Sequence, residues 1–281
     1  MSDASSEPRS LFRNVSFMLM WSSVAASGFG DRMIQLAAWP LLGINRPDTQ
    51  ASSIQAAVTF WFFLPFLFLG PVGGYLADTF RRKWIMLGCD EGRALVLAGA
   101  AVLLWMYAPD YAGQAIAEDH ELADLAVFGT LGTVALTGAL AGIFGPARDA
   151  TVPQIVQRHQ LQGANAIILA IATIASLIGL GLGGWIINAY SVLTALLCGT
   201  LCFLISGAFW AFIRPREHHR FSELPRESEF RRLVEAAAYV RRHPRLQALF
   251  GLSVMFWGLS GILLGAVAAL AKNQYGLPQD D

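Results

Sequence analysis

The chain has 281 residues, of which 55% are hydrophobic and only 14% charged, with a formal net charge of zero. A charged share so far below the usual one of about 25% excludes an ordinary soluble enzyme and points to a polytopic membrane protein. The charges also cluster instead of spreading, so their positions carry more information than their sum.

Seven apolar runs follow in chain order, at Phe17–Leu42, Ser52–Tyr75, Trp84–Ala108, Leu125–Phe144, Ala164–Ile187, Val192–Ile213 and Leu246–Leu270. Each can cross roughly 30 Å of hydrocarbon as a helix. None alternates apolar and polar residues, so a β-barrel is not indicated. The expected fold is an all-α polytopic membrane protein.

In the first run Ser23, Ser27, Asp31 and Gln35 recur every fourth residue and make one polar stripe on a helix. A signal peptide ending near Ala25-Ala26-Ser27 is disfavoured because the apolar run continues well past it. Between the second and third runs, Gly73–Lys83 forms a charge-dense turn, with Asp78 and Arg82 spaced for a local ion pair. Early in the third run Asp90 and Arg93 share a face beside Glu91. Charge at that depth is costly and persists where it is paired or faces a polar cavity. Two readings stay open for this pair: a buried tie orienting the third and second helices, or a gating or proton-responsive pair. In the fourth run Thr130, Thr133, Thr137, Gly138 and Gly142 read as close-packing residues, and Gly145–Pro153 reads as the loop that follows. The fifth run carries Gly179, Gly181, Gly183 and Gly184, a weak echo of Gly70, Gly73 and Gly74 in the second. Cys89, Cys198 and Cys202 show no pairing or metal spacing and read as small core residues.

Arg and Lys mark the sides. Arg9 and Arg13 precede the first run; Arg81, Arg82 and Lys83 follow the second; Arg148 and Arg158 follow the fourth; nine arginines lie between Arg214 and Arg245. The turn after the third run has Asp110, Glu118, Asp119, Glu121 and Asp124 and no base. The positive-inside rule therefore places the amino terminus in the cytoplasm, against which only the short loop with Arg46 stands. The expected organisation is a cytoplasmic tail over 1–16 and a six-helix bundle over 17–213. A basic linker with a surface-lying amphipathic helix over 214–245 comes next, then a seventh helix with the start of an external loop over 246–281.

The segment Gly74, Leu76, Ala77, Asp78, Arg82, Lys83 resembles the G-x-L-A-D-R-x-G-R-K loop between the second and third helices of major facilitator superfamily transporters, with Thr79 and Arg81 departing from it. Asp90-x-x-Arg93, Gly145–Pro153 and Leu161–Ala166 resemble the drug and siderophore exporter branch, near the lysophospholipid transporters. Gly179–Gly184 resembles the G-P-x-x-G-G of proton-coupled antiporters, with Leu180 in the proline position. The resemblance implies an amino-terminal six-helix half plus one helix of a longer transporter, a truncated chain whose carboxy-terminal half is a missing partner. It implies a secondary transporter of the cytoplasmic membrane, exporting small amphipathic molecules by alternating access, with a lysophospholipid transporter as the alternative and a non-transporting scaffold or regulator as a further one.

The same resemblance sets the first helix against a central cavity. Asp31 and Gln35, with Asp90 and Arg93, are then the candidates for substrate contact or proton coupling, although an acid simply satisfied by Arg32 or a neighbouring helix explains Asp31 equally well. Gly74, Asp78, Arg82 and Arg148 are the implied conformational latch; Arg148 also fits a lipid-phosphate contact or a plain topology charge. No cofactor or metal is expected, a proton gradient is the driving force the resemblance allows, and the partners are an amphipathic small molecule or lysolipid and the bilayer, not nucleic acid. Catalytic signatures such as G-x-S-x-G, H-E-x-x-H or a phosphate-binding glycine loop are missing from the sequence, and His218-His219 sits in the basic linker. The chain does not read as an enzyme.

Overall fold

A computed structural model describes residues 11–43, 51–107, 120–213, 238–249, 251–253, 255 and 259. They are helical apart from short links, with no strand among the described residues. Among the described residues there are six long helices: α1 Val15–Gly43, α2 Ala51–Thr79, α3 Arg82–Tyr107, α4 His120–Ile155, α5 Leu161–Ala189 and α6 Val192–Phe212. The fold is all-α. The tail before residue 11, the acidic turn over 109–119, most of the basic linker and most of the seventh apolar run lie outside the described residues.

Among the described residues, four stretches are long and apolar enough to cross a membrane by length and composition alone: Ser53–Thr79, Ala126–Ile155, Arg158–Ala189 and Val192–Phe212. The helices left out of that set, α1 and α3, are the two that carry Asp31, Arg32, Asp90, Glu91 and Arg93. Their length is sufficient; their charge is what lowers the hydropathy.

Two links are shorter than the sequence suggests. The charge-dense turn over Gly73–Lys83 reduces to Phe80 and Arg81, because α2 runs on to Thr79 and α3 starts at Arg82. The proposed loop Gly145–Pro153 is helical throughout, as α4 continues to Ile155 with Pro146 and Pro153 inside it. Proline is tolerated in such helices because neighbours re-satisfy the freed backbone groups. Apart from the carbonyls the prolines free, Thr151 Oγ1 donates to the carbonyl of Ala147 at 2.7 Å, and Asn14 Nδ2 reaches the last carbonyl of α4, Ile155 O, at 2.8 Å. At the α5–α6 link, Ser191 is a regular N-cap that accepts from Thr194 N at 3.1 Å.

The described residues fall into two compact units, 11–43 with 58–213, and 51–57 with those from 238 onward. In the first, α1 packs on α5, α6 and α4, while α3 packs on α4 and α6. A core of Phe17, Met20, Met86, Phe144, Ile168 and Trp210 fills the end where α1, α3 and α5 start and α4 and α6 finish. In the second unit, residues 238–242 and 244–249 are helical on either side of His243, whose ring lies 4.1 Å from that of Tyr239 and whose Nδ1 donates to Tyr239 O at 2.8 Å.

Candidate functional site

The buried face of α3 has to accommodate charge. Asp90 and Arg93 are one helical turn apart, so their side chains meet on the same face, and there they form an ion pair through Arg93 Nη2 and Asp90 Oδ1. Both are closed off from solvent, Asp90 at 0% exposure and Arg93 at 1%. Of the two readings the sequence leaves open for the pair, one ties the third helix to the second. The structure corrects this: its partners come from α1 and α6, the helices against which this part of α3 packs.

From α6, Ser206 Oγ lies 2.6 Å from Asp90 Oδ2, 2.7 Å from Ser23 Oγ of α1 and 3.1 Å from Ser23 O. A carboxylate only accepts, so Ser206 donates to Asp90 and Ser23 donates in turn to Ser206. From α1, Ser27 Oγ touches Asp90 Oδ1 at 3.5 Å, the outer limit of a hydrogen bond. Arg93 Nη1 lies 3.2 Å from Asp31 Oδ1 and 3.4 Å from Oδ2, so the guanidinium spans two carboxylates on two helices. Its Cζ lies 4.9 Å from the ring centroid of Phe144 on α4 and 4.6 Å from that of Phe203 on α6. Both contacts are within cation–π range. Among the described residues, Arg93 Nε has no hydrogen-bond partner.

The stripe of α1 is therefore divided. Ser23 and Ser27 are buried against α3 and α6, whereas Asp31 keeps 22% of its side chain open and Gln35 is half-buried, accepting from Arg32 Nη1 at 2.7 Å. Gln35 does not join the Asp31–Arg93–Asp90 cluster; it engages Arg32. Sequence reasoning missed Ser206, Phe144 and Phe203. Lone hydroxyls and phenylalanines in apolar runs carry no periodic signal, and only the packing of α4 and α6 on α3 brings them to Arg93.

The second candidate group lies at the end of α2. Asp78 is 73% exposed and its ion pair with Arg82 is long, 3.8 Å. Arg82 has firmer contacts: its Nε donates to Ala77 O at 3.0 Å and its Nη1 donates to Ala150 O near the end of α4. Lys83 Nζ donates to Ala211 O at the end of α6. Basic side chains reaching helix C-terminal carbonyls satisfy groups that the helix itself leaves open and complement its dipole. Arg148 does not meet Asp78; it forks onto its neighbour Asp149 at 2.9 and 2.8 Å. Gly74 of the sequence pattern has open space where a side chain would stand, whereas at Gly73 a methyl would come within 2.7 Å of the Ile143 backbone. The close approach thus belongs to the glycine one position earlier.

A long-helix bundle with charge enclosed between α1, α3, α4 and α6 defines a polytopic membrane protein of the transporter kind. Residues 20–279 match the profile of the Major Facilitator Superfamily, and the chain belongs to that family of transporters. It is 25% identical over 240 residues to the uncharacterised MFS-type transporter YfiS of Bacillus subtilis (strain 168), covering 84% of this chain and 52% of the relative. With YkuC of the same organism, another uncharacterised MFS-type transporter, identity is 22% over 278 residues, 96% of this chain and 59% of the relative. An uncharacterised MFS-type transporter of Mycobacterium tuberculosis (strain ATCC 25618 / H37Rv) is 29% identical over 155 residues, 55% of this chain and 31% of its own length. The chain thus spans between about a third and three-fifths of the curated relatives it matches. No solved structure matches it.

Proposed function

We propose that the full-length protein is a secondary active exporter of small amphipathic molecules that works by alternating access across the cytoplasmic membrane. The observation that carries the reading is the enclosed Asp31–Arg93–Asp90 cluster with one carboxylate, Asp31, left partly open. Charge at bilayer depth is expensive and marks substrate or ion pathways. In this reading Asp31 meets cargo or a proton driven by the gradient, Gln35 flanks it, and Asp90 with Arg93 hold the charge balance. The likeness of Asp90-x-x-Arg93 and 145–165 to the exporter branch supports outward transport. The amino terminus, the link at 80–81 and the basic stretch 214–245 face the cytoplasm and 109–124 faces outward, as the arginine distribution requires. Of the latch candidates Gly74, Asp78, Arg82 and Arg148, the pair Asp78–Arg82 forms the latch of the cytoplasmic end, with Asp78 the exposed member that exchanges partners.

The test is flux from inverted membrane vesicles carrying the full-length protein, against a panel of fluorescent dyes, siderophores and lysolipids. Export of one of the amphipathic dyes or siderophores, lost in Asp31→Asn, is expected. Flux confined to lysolipids would move the substrate class to lysophospholipids, and unimpaired export by Asp31→Asn would remove Asp31 from the site.

A further inference from the structure

A second cation lies on α1, turned away from the ion cluster. Arg32 stands roughly 16 Å along the helix axis from Gly43, inside an apolar run where charge is costly. Consecutive side chains leave a helix about 100° apart. Asp31 turns to Arg93 of α3, and Arg32 turns to α5. There Gly179 receives its stem: a methyl on that glycine would come within 2.9 Å of Arg32 Cβ and 3.1 Å of Cγ. The same methyl would meet Phe29 Cδ2 at 3.5 Å, and one on Gly183, a turn further along α5, would meet Leu36. Phe29, Arg32 and Leu36 thus form one row on α1, apolar a turn before and a turn after the charge.

The head of the side chain is held as well as its stem. Arg32 Nη1 donates to Gln35 Oε1 at 2.7 Å, and both residues are half-buried. Among the described residues, no carboxylate forms an ion pair with this guanidinium. Asp31, the single acid of α1, is engaged by Arg93, and the α5 sequence has no ionisable residue. On α3, Asp90 is closed in with Arg93 and Glu91 lies over Gly207 of α6. A guanidinium carries five N–H donors in a planar fork that matches the oxygens of a carboxylate or phosphate. With Gln35 and Gly179 orienting it, that fork has little freedom left to lose when an oxyanion arrives.

We propose that Arg32 is the subsite for an oxyanion head group, and that the cargo is an amphipathic acid, a carboxylate or phosphate on an apolar body. Phe29 and Leu36 take the apolar part next to the head, and Gln35 is the positioning residue for the guanidinium. This inference rests on the reading of the α1 stripe as the cargo site. It adds the head group that the site selects and the side chain that selects it.

The test uses the full-length protein in lipid nanodiscs and fluorescent probes that share one dansylamino-undecyl body: a carboxylate, its methyl ester and a trimethylammonium. Binding is read as energy transfer from tryptophan to dansyl, corrected with empty discs. The carboxylate binds about tenfold tighter than the ester, the factor that one charge-assisted hydrogen bond supplies. The trimethylammonium binds no tighter than the ester. Arg32→Gln abolishes the preference for the acid, and Arg32→Lys, which keeps the charge without the fork, restores most of it. Gln35→Leu lowers the acid-to-ester ratio without abolishing it. Because a ratio is read, a general loss of folded protein cancels. Displacement of the carboxylate probe by octanoate but not by lysophosphatidylglycerol assigns the oxyanion to a carboxylic acid, and the reverse assigns it to a lysolipid phosphate.

An acid preference that survives in Arg32→Gln, a wild-type protein that favours the trimethylammonium, or equal binding of acid and ester would each overturn the proposal. If the acid preference depends on Arg32 but inverted vesicles export no amphipathic acid, the export reading fails and the subsite stands. Export that is lost in Asp31→Asn, with no preference for the acid, would leave the export reading and remove the subsite.

Discussion

The first three helices and the second three use one another in matching ways, yet they contribute different chemistry. The third helix of each triplet packs on the first of the other, α3 on α4 and α6 on α1. The second helices approach the opposite first helices at glycines: a methyl at Gly73 of α2 would meet Ile143 of α4, and one at Gly183 of α5 would meet Leu36 and Met33 of α1. Charge does not follow that symmetry. Asp31, Arg32, Asp90, Glu91 and Arg93 all lie in the first triplet, whereas α5, α6 and residues 126–147 of α4 contain no Asp, Glu, Lys or Arg. The second triplet supplies what makes the charge tolerable: Ser206, Phe144 and Phe203. A matched pair of scaffolds can therefore enclose an ionic site by giving one member the ions and the other the hydroxyl and aromatic walls.

The strongest way to break this arrangement is to remove its single buried cation. Arg93→Ala strands Asp90 in a closed site with only serine hydroxyls left on it, and breaking such a buried pair costs about 3–5 kcal/mol. Loss of monodisperse protein, or a steep fall in the thermal unfolding midpoint in detergent, is the expected outcome. A midpoint unchanged from wild type would mean that Asp90 finds solvent or another donor.

The glycine contacts sharpen the comparison at the next scale. Gly73→Ala forces α2 off the Ile143 backbone and should cost about 1–3 kcal/mol, as overpacking does. Gly74→Ala points into open space and should stay within about 0.5 kcal/mol of wild type in folding. A reversal of that order in detergent unfolding would show that Gly74 is the packed residue.

Smaller again is the one hydroxyl that the second triplet gives to Asp90. Interhelical hydrogen bonds of this kind are worth roughly 0.6–1.7 kcal/mol in membrane proteins, so Ser206→Ala should lower stability by about that amount. Ser23→Ala should cost less, because Ser23 reaches the carboxylate only through Ser206. Equal losses from the two substitutions would argue against the hydroxyl chain.

Much of the scaffold was legible in the sequence, because apolar runs of helix-spanning length leave few alternatives. All six long helices fall on the first six runs. The errors came where local rules compete with tertiary contacts. Pro146 and Pro153 suggested a loop, but both sit inside α4, which continues to Ile155. The charges of 78–83 suggested a wide turn, but Arg82 and Lys83 reach carbonyls of α4 and α6 and belong to a helix start. Asp31, Asp90 and Arg93 were visible as costly charges in apolar runs. Their convergence on one another was not, since α1 and α3 are separated by a whole helix in the chain and only packing joins them.

The faintest expected effect on folding separates two residues that the sequence pattern joins. Asp78 and Arg82 look like a pair, but Asp78 is 73% exposed and 3.8 Å away, where an ion pair contributes between zero and about 1 kcal/mol and is weakened by salt. Arg82 also caps carbonyls of Ala77 and Ala150, bonds that each contribute about 0.5–1.5 kcal/mol. Arg82→Gln should therefore lower the unfolding midpoint measurably, while Asp78→Asn should leave it within about 0.5 kcal/mol. If Asp78 serves as the exchanging member of a latch, its variant in the full-length protein should show reduced turnover with substrate affinity held within a few-fold, since the link is roughly half a bilayer, about 15 Å, from a midplane site. Transport by Asp78→Asn at the wild-type rate would leave the carboxylate as a topology signal only. A folding defect as large as that of Arg82→Gln would instead make Asp78 a structural partner of the same helix ends.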